Sequence, residues 1–86
     1  LNGDDLGRRR TVPVRELDVR GFFCPLPILR TRALVDTMAS GEEVIVRTTD
    51  PASVIDFKHF CNVTGHQLLA HERQDDIFVF HIRKDG

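Results

Sequence analysis

The sequence predicts a two-layer α+β sandwich in which a mixed four-stranded sheet carries two helices on one face. Two observations lead there. Two helix starts marked by proline, Cys24-Pro25 and Asp50-Pro51, each follow a short strand-like run. Two further strand-like runs flank Asp75-Asp76 near the end of the chain, so that pair reads as a hairpin. The resulting order is βαβαββ, with the first two strands parallel through a right-handed crossover and the last two antiparallel.

Each element has its own signal. Val14 to Val19 alternates loosely, with Leu17 and Val19 on one face, and reads as a strand. Pro25 to about Ala39 reads as the first helix, because proline suits the first helical position, where its missing N–H has no intrahelical partner to lose. Pro27 then falls on the third position, still among the unpaired N–H groups. Ile28, Thr31, Leu34, Val35 and Met38 form the inward stripe, and Arg30, Arg32 and Asp36 lie away from it. Ser40-Gly41 stops the helix, with Gly41 available for a left-handed turn. Glu43 to Thr48, with Val44-Ile45-Val46 at its centre, suits a well-buried strand. Asp50 as N-cap and Pro51 in the first helical position open the second helix. Val54, Phe57 and Cys61 share a face of it, and Gly65 closes it. Gln67 to Glu72 and Ile77 to Arg83 are the hairpin strands. The last is apolar on both faces, as expected of a central strand or of one whose open face meets a partner.

Eighty-six residues, 41% hydrophobic and 29% charged, make one domain of ordinary globular composition with a modest core. A formal charge of −1 argues against direct nucleic-acid binding and against attachment to an anionic membrane. No apolar run is long enough to span a bilayer, and the N-terminus lacks the charged-then-apolar order of a signal peptide. Two cysteines do not make a disulfide scaffold, so the expected setting is a reducing cytoplasm. Residues 1–11 show no periodicity and read as a flexible tail before a single domain at 12–86. Arg8, Arg9 and Arg10 in that tail are either a small basic patch or simply part of a disordered end.

Cys24 is the residue with chemistry to offer. If Pro25 opens the helix, Cys24 is its N-cap, at the positive end of the helix dipole where thiolate is favoured. A helix terminus contributes roughly 0.3–2 kcal/mol to such a charge. At about 1.4 kcal/mol per pKa unit, that would move a free thiol from about 8.5 towards about 7. Arg20 and Arg30 are near enough in sequence to assist. The alternative is a buried cysteine that merely caps a helix. Cys61, spaced with Val54 and Phe57, reads as core, and as a resolving cysteine in the competing view. The four histidines form no metal-ligand spacing with the cysteines, so neither a metal nor an organic cofactor is expected.

The run Leu17-Asp18-Val19-Arg20-Gly21-Phe22-Phe23-Cys24-Pro25-Leu26-Pro27, followed by Gly41-Glu42, Asp50-Pro51, Gly65-His66 and Ile82-Arg83-Lys84, resembles the TusA (SirA-like) family of sulfur carriers with a Cys-Pro-x-Pro motif. The resemblance covers residues 14 to 84. It implies a sandwich like the C-terminal domain of translation initiation factor three. It further implies that Cys24 bears sulfane sulfur as a persulfide. Pro25 and Pro27 would shape the helix start, and Asp18, Arg20 and Gly21 would belong to the strand and loop leading into it. The implied partners are a cysteine desulfurase or other sulfur donor protein and a downstream acceptor protein, in tRNA thiolation, molybdenum-cofactor assembly or sulfur oxidation. Phe22, Phe23 and Leu26 depart from the family in making an apolar collar around the sulfur, which bears on partner choice. Two other classes stand beside the carrier: a thiol redox protein using Cys24 and Cys61, and a non-catalytic RNA- or protein-binding module.

Overall fold

In a computed structural model, which describes residues 14–85, the elements run β1 (Val14–Asp18), α1 (Leu26–Val35), β2 (Glu43–Thr48), α2 (Ser53–Thr64), β3 (Gln67–Gln74) and β4 (Ile77–Arg83). The strands form one sheet in the order β1-β2-β4-β3. β1 and β2 are parallel, with Asp18 opposite Arg47, while β4 runs antiparallel to both β2 and β3. This is the architecture expected from the sequence. β4 is central, which accounts for its apolar residues on both faces. The tail at residues 1–11, with Arg8, Arg9 and Arg10, lies outside the described residues.

Strand periodicity decides which face the helices cover. Val44, Val46 and Thr48 point inward from β2, and Phe80 and Ile82 join them from β4. Thr31, Val35 and Pro27 of α1 and Phe57, Phe60 and Cys61 of α2 pack down onto that layer. Phe57 and Phe80 stack with ring centroids 4.5 Å apart, both with almost no exposed surface. The opposite face of the sheet is mixed. Ile45, Ala70 and Val79 lie there beside Glu72 and His81, and the Arg47–Glu16 ion pair, at 3.0 Å, spans the neighbouring strands.

Several boundaries differ from the sequence reading, each for a local reason. α1 begins at Leu26 rather than Pro25, because Pro25 supplies the cap carbonyl that accepts the Leu29 N–H. It ends at Val35 rather than Ala39. After Asp36 the bonds shorten to Thr37 N–H on Leu34 and Met38 N–H on Val35, a tighter turn that still buries Met38. α2 begins at Ser53, two residues past Pro51, since Asp50 and Pro51 form a turn of their own in which the Ser53 N–H donates to the Asp50 carbonyl. β3 extends to Gln74 because Asp75 takes a left-handed conformation (φ 57°), which allows a two-residue hairpin turn. Gly65 closes α2 in the left-handed region as expected, its N–H on the Cys61 carbonyl.

The core makes a direct expectation. Truncating Phe57, fully buried in the stacked pair, leaves a cavity between sheet and helix; Phe57→Ala lowers unfolding free energy by about 3–5 kcal/mol. Leu69→Ala, at an exposed position beside the β3 irregularity, stays within about 0.5 kcal/mol of the parent. Urea denaturation of the two variants measures both.

Candidate functional site

Parallel strands deliver their following loops to the same end of a sheet, so the loops after β1 and β2 meet. The first is shaped by Asp18 and Gly21. Asp18 accepts the Arg20 backbone N–H at 3.0 Å and the Arg20 guanidinium at 2.8 and 2.7 Å. Those bonds hold its carboxyl down to about 2. Gly21 turns the chain in the left-handed region (φ 86°), where a side chain would be strained although a Cβ would meet nothing. Its N–H donates to Thr49 Oγ1 at 2.9 Å, tying the first loop to the second.

Asp50 makes the stronger tie. Its Oδ2 accepts the Cys24 backbone N–H at 2.6 Å, and its Oδ1 accepts the Ala52 N–H at 3.1 Å. Asp50 is itself buried, with its own N–H on Thr48 Oγ1 and that hydroxyl beside Ser53 Oγ. One carboxylate therefore fixes Cys24 against the start of α2. The Cys24–Pro25 peptide is cis.

Cys24 is not the N-cap. Pro25 occupies that place, with no side-chain cap bond, and Cys24 sits one residue earlier with its side chain exposed. The thiol is also pushed above its ordinary pKa rather than below it. Its hydrogen bond to Asp56 Oδ2, at 3.3 Å, is the main cause, followed by desolvation and by the charges of Asp56 and Asp50. The start of α1 gives the sulfur little dipolar help. Leu26 spends its N–H on the Phe23 carbonyl, and Pro27 has none, so the helix end offers few donors to a sulfur anion. Nor do the nearby arginines assist: Arg20 is engaged by Asp18, and Arg30 lies over the Phe22 ring at 4.6 Å.

The thiol opens onto a groove of about 300 Å³ between α1 and α2. Pro25, Ile28 and Leu29 form one wall and Phe60 and Val63 the other, with Arg32, Asp56 and His59 at the polar positions. The aromatic collar divides. Phe22 packs against the core, whereas Phe23 is 74% exposed and Leu26 44% exposed. Leu29, Ile55 and Val63 extend the exposed apolar surface on the two helices.

The remaining sequence candidates lie elsewhere. Cys61 is a core residue, its thiol pushed up to about 11 by burial. His66 packs on Phe60 and accepts the Asp85 N–H, His71 stacks on Phe80, and His81 pairs with Glu43. Among the described residues no group of three or more His, Cys, Asp or Glu is placed to hold a metal ion. No helix among them is long and apolar enough to cross a membrane.

The family model for sulfurtransferase TusA matches residues 15–84. The chain belongs to the TusA family. It is 43% identical over 70 residues to the sulfur carrier protein TusA of Allochromatium vinosum, covering 81% of this chain and 92% of that one. The crystal structure of a SirA-like protein from Desulfitobacterium hafniense shares the fold, with a TM-score of 0.69 at 21% identity over 85% of this chain and 99% of that one. Membership in the TusA family implies dealings with sulfur donor and acceptor proteins in general.

Two residues beside the sulfur carry no site signal in the sequence: Asp50 reads there only as a helix cap, and Asp56 as one acidic residue of a helix. The signal was present in the topology: once β1 and β2 are parallel, the loop after β2 and the first turn of α2 must stand next to Cys24. Two outcomes follow from this geometry. Asp50→Ala leaves the Cys24 and Ala52 N–H groups without their acceptor. It costs about 1–3 kcal/mol in denaturant unfolding, with faster amide exchange at Cys24. Alkylation of Cys24 by iodoacetamide stays slow at neutral pH and rises only above the ordinary thiol range of about 8.5. The thiol–carboxylate contact contributes stability below the unfolded thiol's pKa and is lost as pH rises through the raised folded value.

Proposed function

We propose that this protein accepts sulfane sulfur as a persulfide on Cys24 and relays it to an acceptor protein. The observation that carries the reading is an exposed, unpaired cysteine held by its backbone at the mouth of an apolar groove, in a chain of the TusA family. Such a relay needs an accessible sulfur and a surface against which donor and acceptor can dock; it needs no metal or organic cofactor.

The step balances without an external oxidant. Cys24 Sγ attacks the outer sulfur of a donor persulfide, the new S–S bond forms, and the donor's own S–S bond breaks. The donor sulfur leaves as a thiolate and takes the proton that Cys24 gives up. The products are Cys24 persulfide and donor thiol. Offloading is the same exchange in reverse, with the acceptor thiol as the attacking group. The donor in this reading is a cysteine desulfurase or another persulfide-bearing protein in the cytoplasm. The acceptor serves tRNA thiolation, molybdenum-cofactor assembly or sulfur oxidation.

Pro25 and Pro27 have distinct parts in this reading. Pro25 supplies the cap carbonyl of α1, and Pro27 is buried at the second helical position, so together they fix where the helix begins relative to the sulfur. Asp18, Arg20 and Gly21 shape the approach from β1. The competing redox reading requires Cys61 as resolver, and its place in the core with a raised thiol pKa counts against that role.

Incubation with a cysteine desulfurase and cysteine, followed by intact-mass spectrometry, tests the proposal. The parent protein gains the mass of one sulfur, reversed by a thiol reductant, and Cys24→Ser gains none. A serine variant that loads as the parent does contradicts it.

A further inference from the structure

Asp56 stands in a position that the relay as written does not explain. It lies in the first turn of α2, where the helix dipole favours a negative charge. There its Oδ2 meets Cys24 Sγ at 3.3 Å and shares the groove mouth with it. A carboxylate beside a nucleophilic thiol is counterproductive if the thiol is to rest as thiolate, because like charges at that range oppose ionisation. The other charged or titratable groups around the sulfur are Asp50 from the loop before α2, Arg32 along the α1 wall and His59 one turn down α2. None of them forms a direct bond to the thiol; Asp50 reaches only the Cys24 backbone.

We propose that Asp56 is the proton acceptor for Cys24 in sulfur loading, holding the resting carrier as a protonated thiol and moving its proton as the new S–S bond forms. The proposal rests on the carrier reading and adds a residue and a proton path to it. The outer sulfur of a donor persulfide is electrophilic only when protonated, because the anion carries its charge on that same sulfur. Cys24 must lose its proton as it attacks, and the departing donor thiolate must gain one. As Sγ closes on the outer sulfur of the protonated donor persulfide, its proton passes to Asp56 Oδ2, the donor S–S bond breaks, and Asp56 returns the proton to the departing donor thiolate. The proton count is unchanged across the step, no redox partner is required, and the product is the persulfide Cys24–S–SH. The terminal sulfur of that product lies about 2 Å beyond Sγ, farther from the carboxylate if it extends into the groove. The same contact suppresses attack by the unloaded thiol on simple neutral electrophiles, which demand thiolate and offer no leaving group that needs the proton.

The two reactions therefore respond to Asp56 with opposite sign. The experiment compares the parent, Asp56→Asn and Asp56→Glu for alkylation by iodoacetamide across pH and for loading by glutathione persulfide, read by intact mass. Asp56→Asn removes the charge and alkylates several-fold faster at pH 7, with its pH midpoint moved down, yet loads at least tenfold more slowly. Asp56→Glu loads within a few-fold of the parent. Circular dichroism checks that each variant retains the fold. Loading by Asp56→Asn at or above the parent rate, in a parent that does load, overturns the proton-acceptor role alone. So does an alkylation profile that does not move. A parent that takes up no sulfur from either glutathione persulfide or a desulfurase overturns the carrier reading and this proposal with it.

Discussion

The structure around Cys24 depends on the Asp50 side chain. The loops after β1 and β2, tied also through Gly21 and Thr49, are joined at the sulfur by a 2.6 Å bond, spanning 26 residues, from the Cys24 N–H to a buried carboxylate. The other oxygen of that carboxylate organises the turn into α2. Because β1 and β2 are parallel neighbours, both loops leave the same edge of the sheet, and the bond becomes possible only when the crossover through α1 is complete. Charge-assisted hydrogen bonds of this kind are roughly twice as strong as neutral ones, and a buried acceptor has little competition from water. The position of the sulfur is thus a property of the whole βαβ unit, and the short sequence around the cysteine does not determine it alone.

That arrangement separates two demands that are usually placed on the same atoms. The backbone of Cys24 is fixed, while its side chain remains exposed beside the groove. A carrier must present its sulfur to one protein and then to another, so rigid placement with open access suits it better than enclosure. In the proposed relay, the apolar groove and the exposed Phe23, Leu26 and Leu29 would give partners something to bury, while Asp56 and Arg32 would supply polar contacts next to the sulfur.

The fold was largely legible in the sequence, and the chemistry at the site only partly so. The β-branched run Val44-Ile45-Val46 and the inward stripe through Thr31, Val35 and Met38 report burial directly, because each residue's environment is set by its own element. Gly65 and the Asp75-Asp76 turn were readable for the same reason, since local backbone conformation selects their residue types. The protonation of Cys24 was not readable in that way. Helix position argued for a thiolate, but the outcome is set by Asp56 and Asp50, which are 32 and 26 residues away and become neighbours only through the sheet. The one-residue shift of the α1 cap from Cys24 to Pro25 has a similar origin. The Leu29 N–H donates to the Pro25 carbonyl, while the Cys24 N–H is held outside the helix by Asp50 across 26 residues. Sequence propensity locates a helix start to within a residue or two; at a reactive side chain that residue matters.

In the proposed relay the transferable sulfur resides on Cys24, the exposed thiol at the end of β1's loop, and not on the buried Cys61. Peptide mass mapping of the sulfur-loaded protein, digested under non-reducing conditions after the free thiols are blocked, tests this most directly. The added sulfur is expected on the peptide containing Cys24, with Cys61 recovered as an ordinary thiol. Sulfur found on the Cys61 peptide, or a disulfide joining the two cysteines in place of a persulfide, would contradict it.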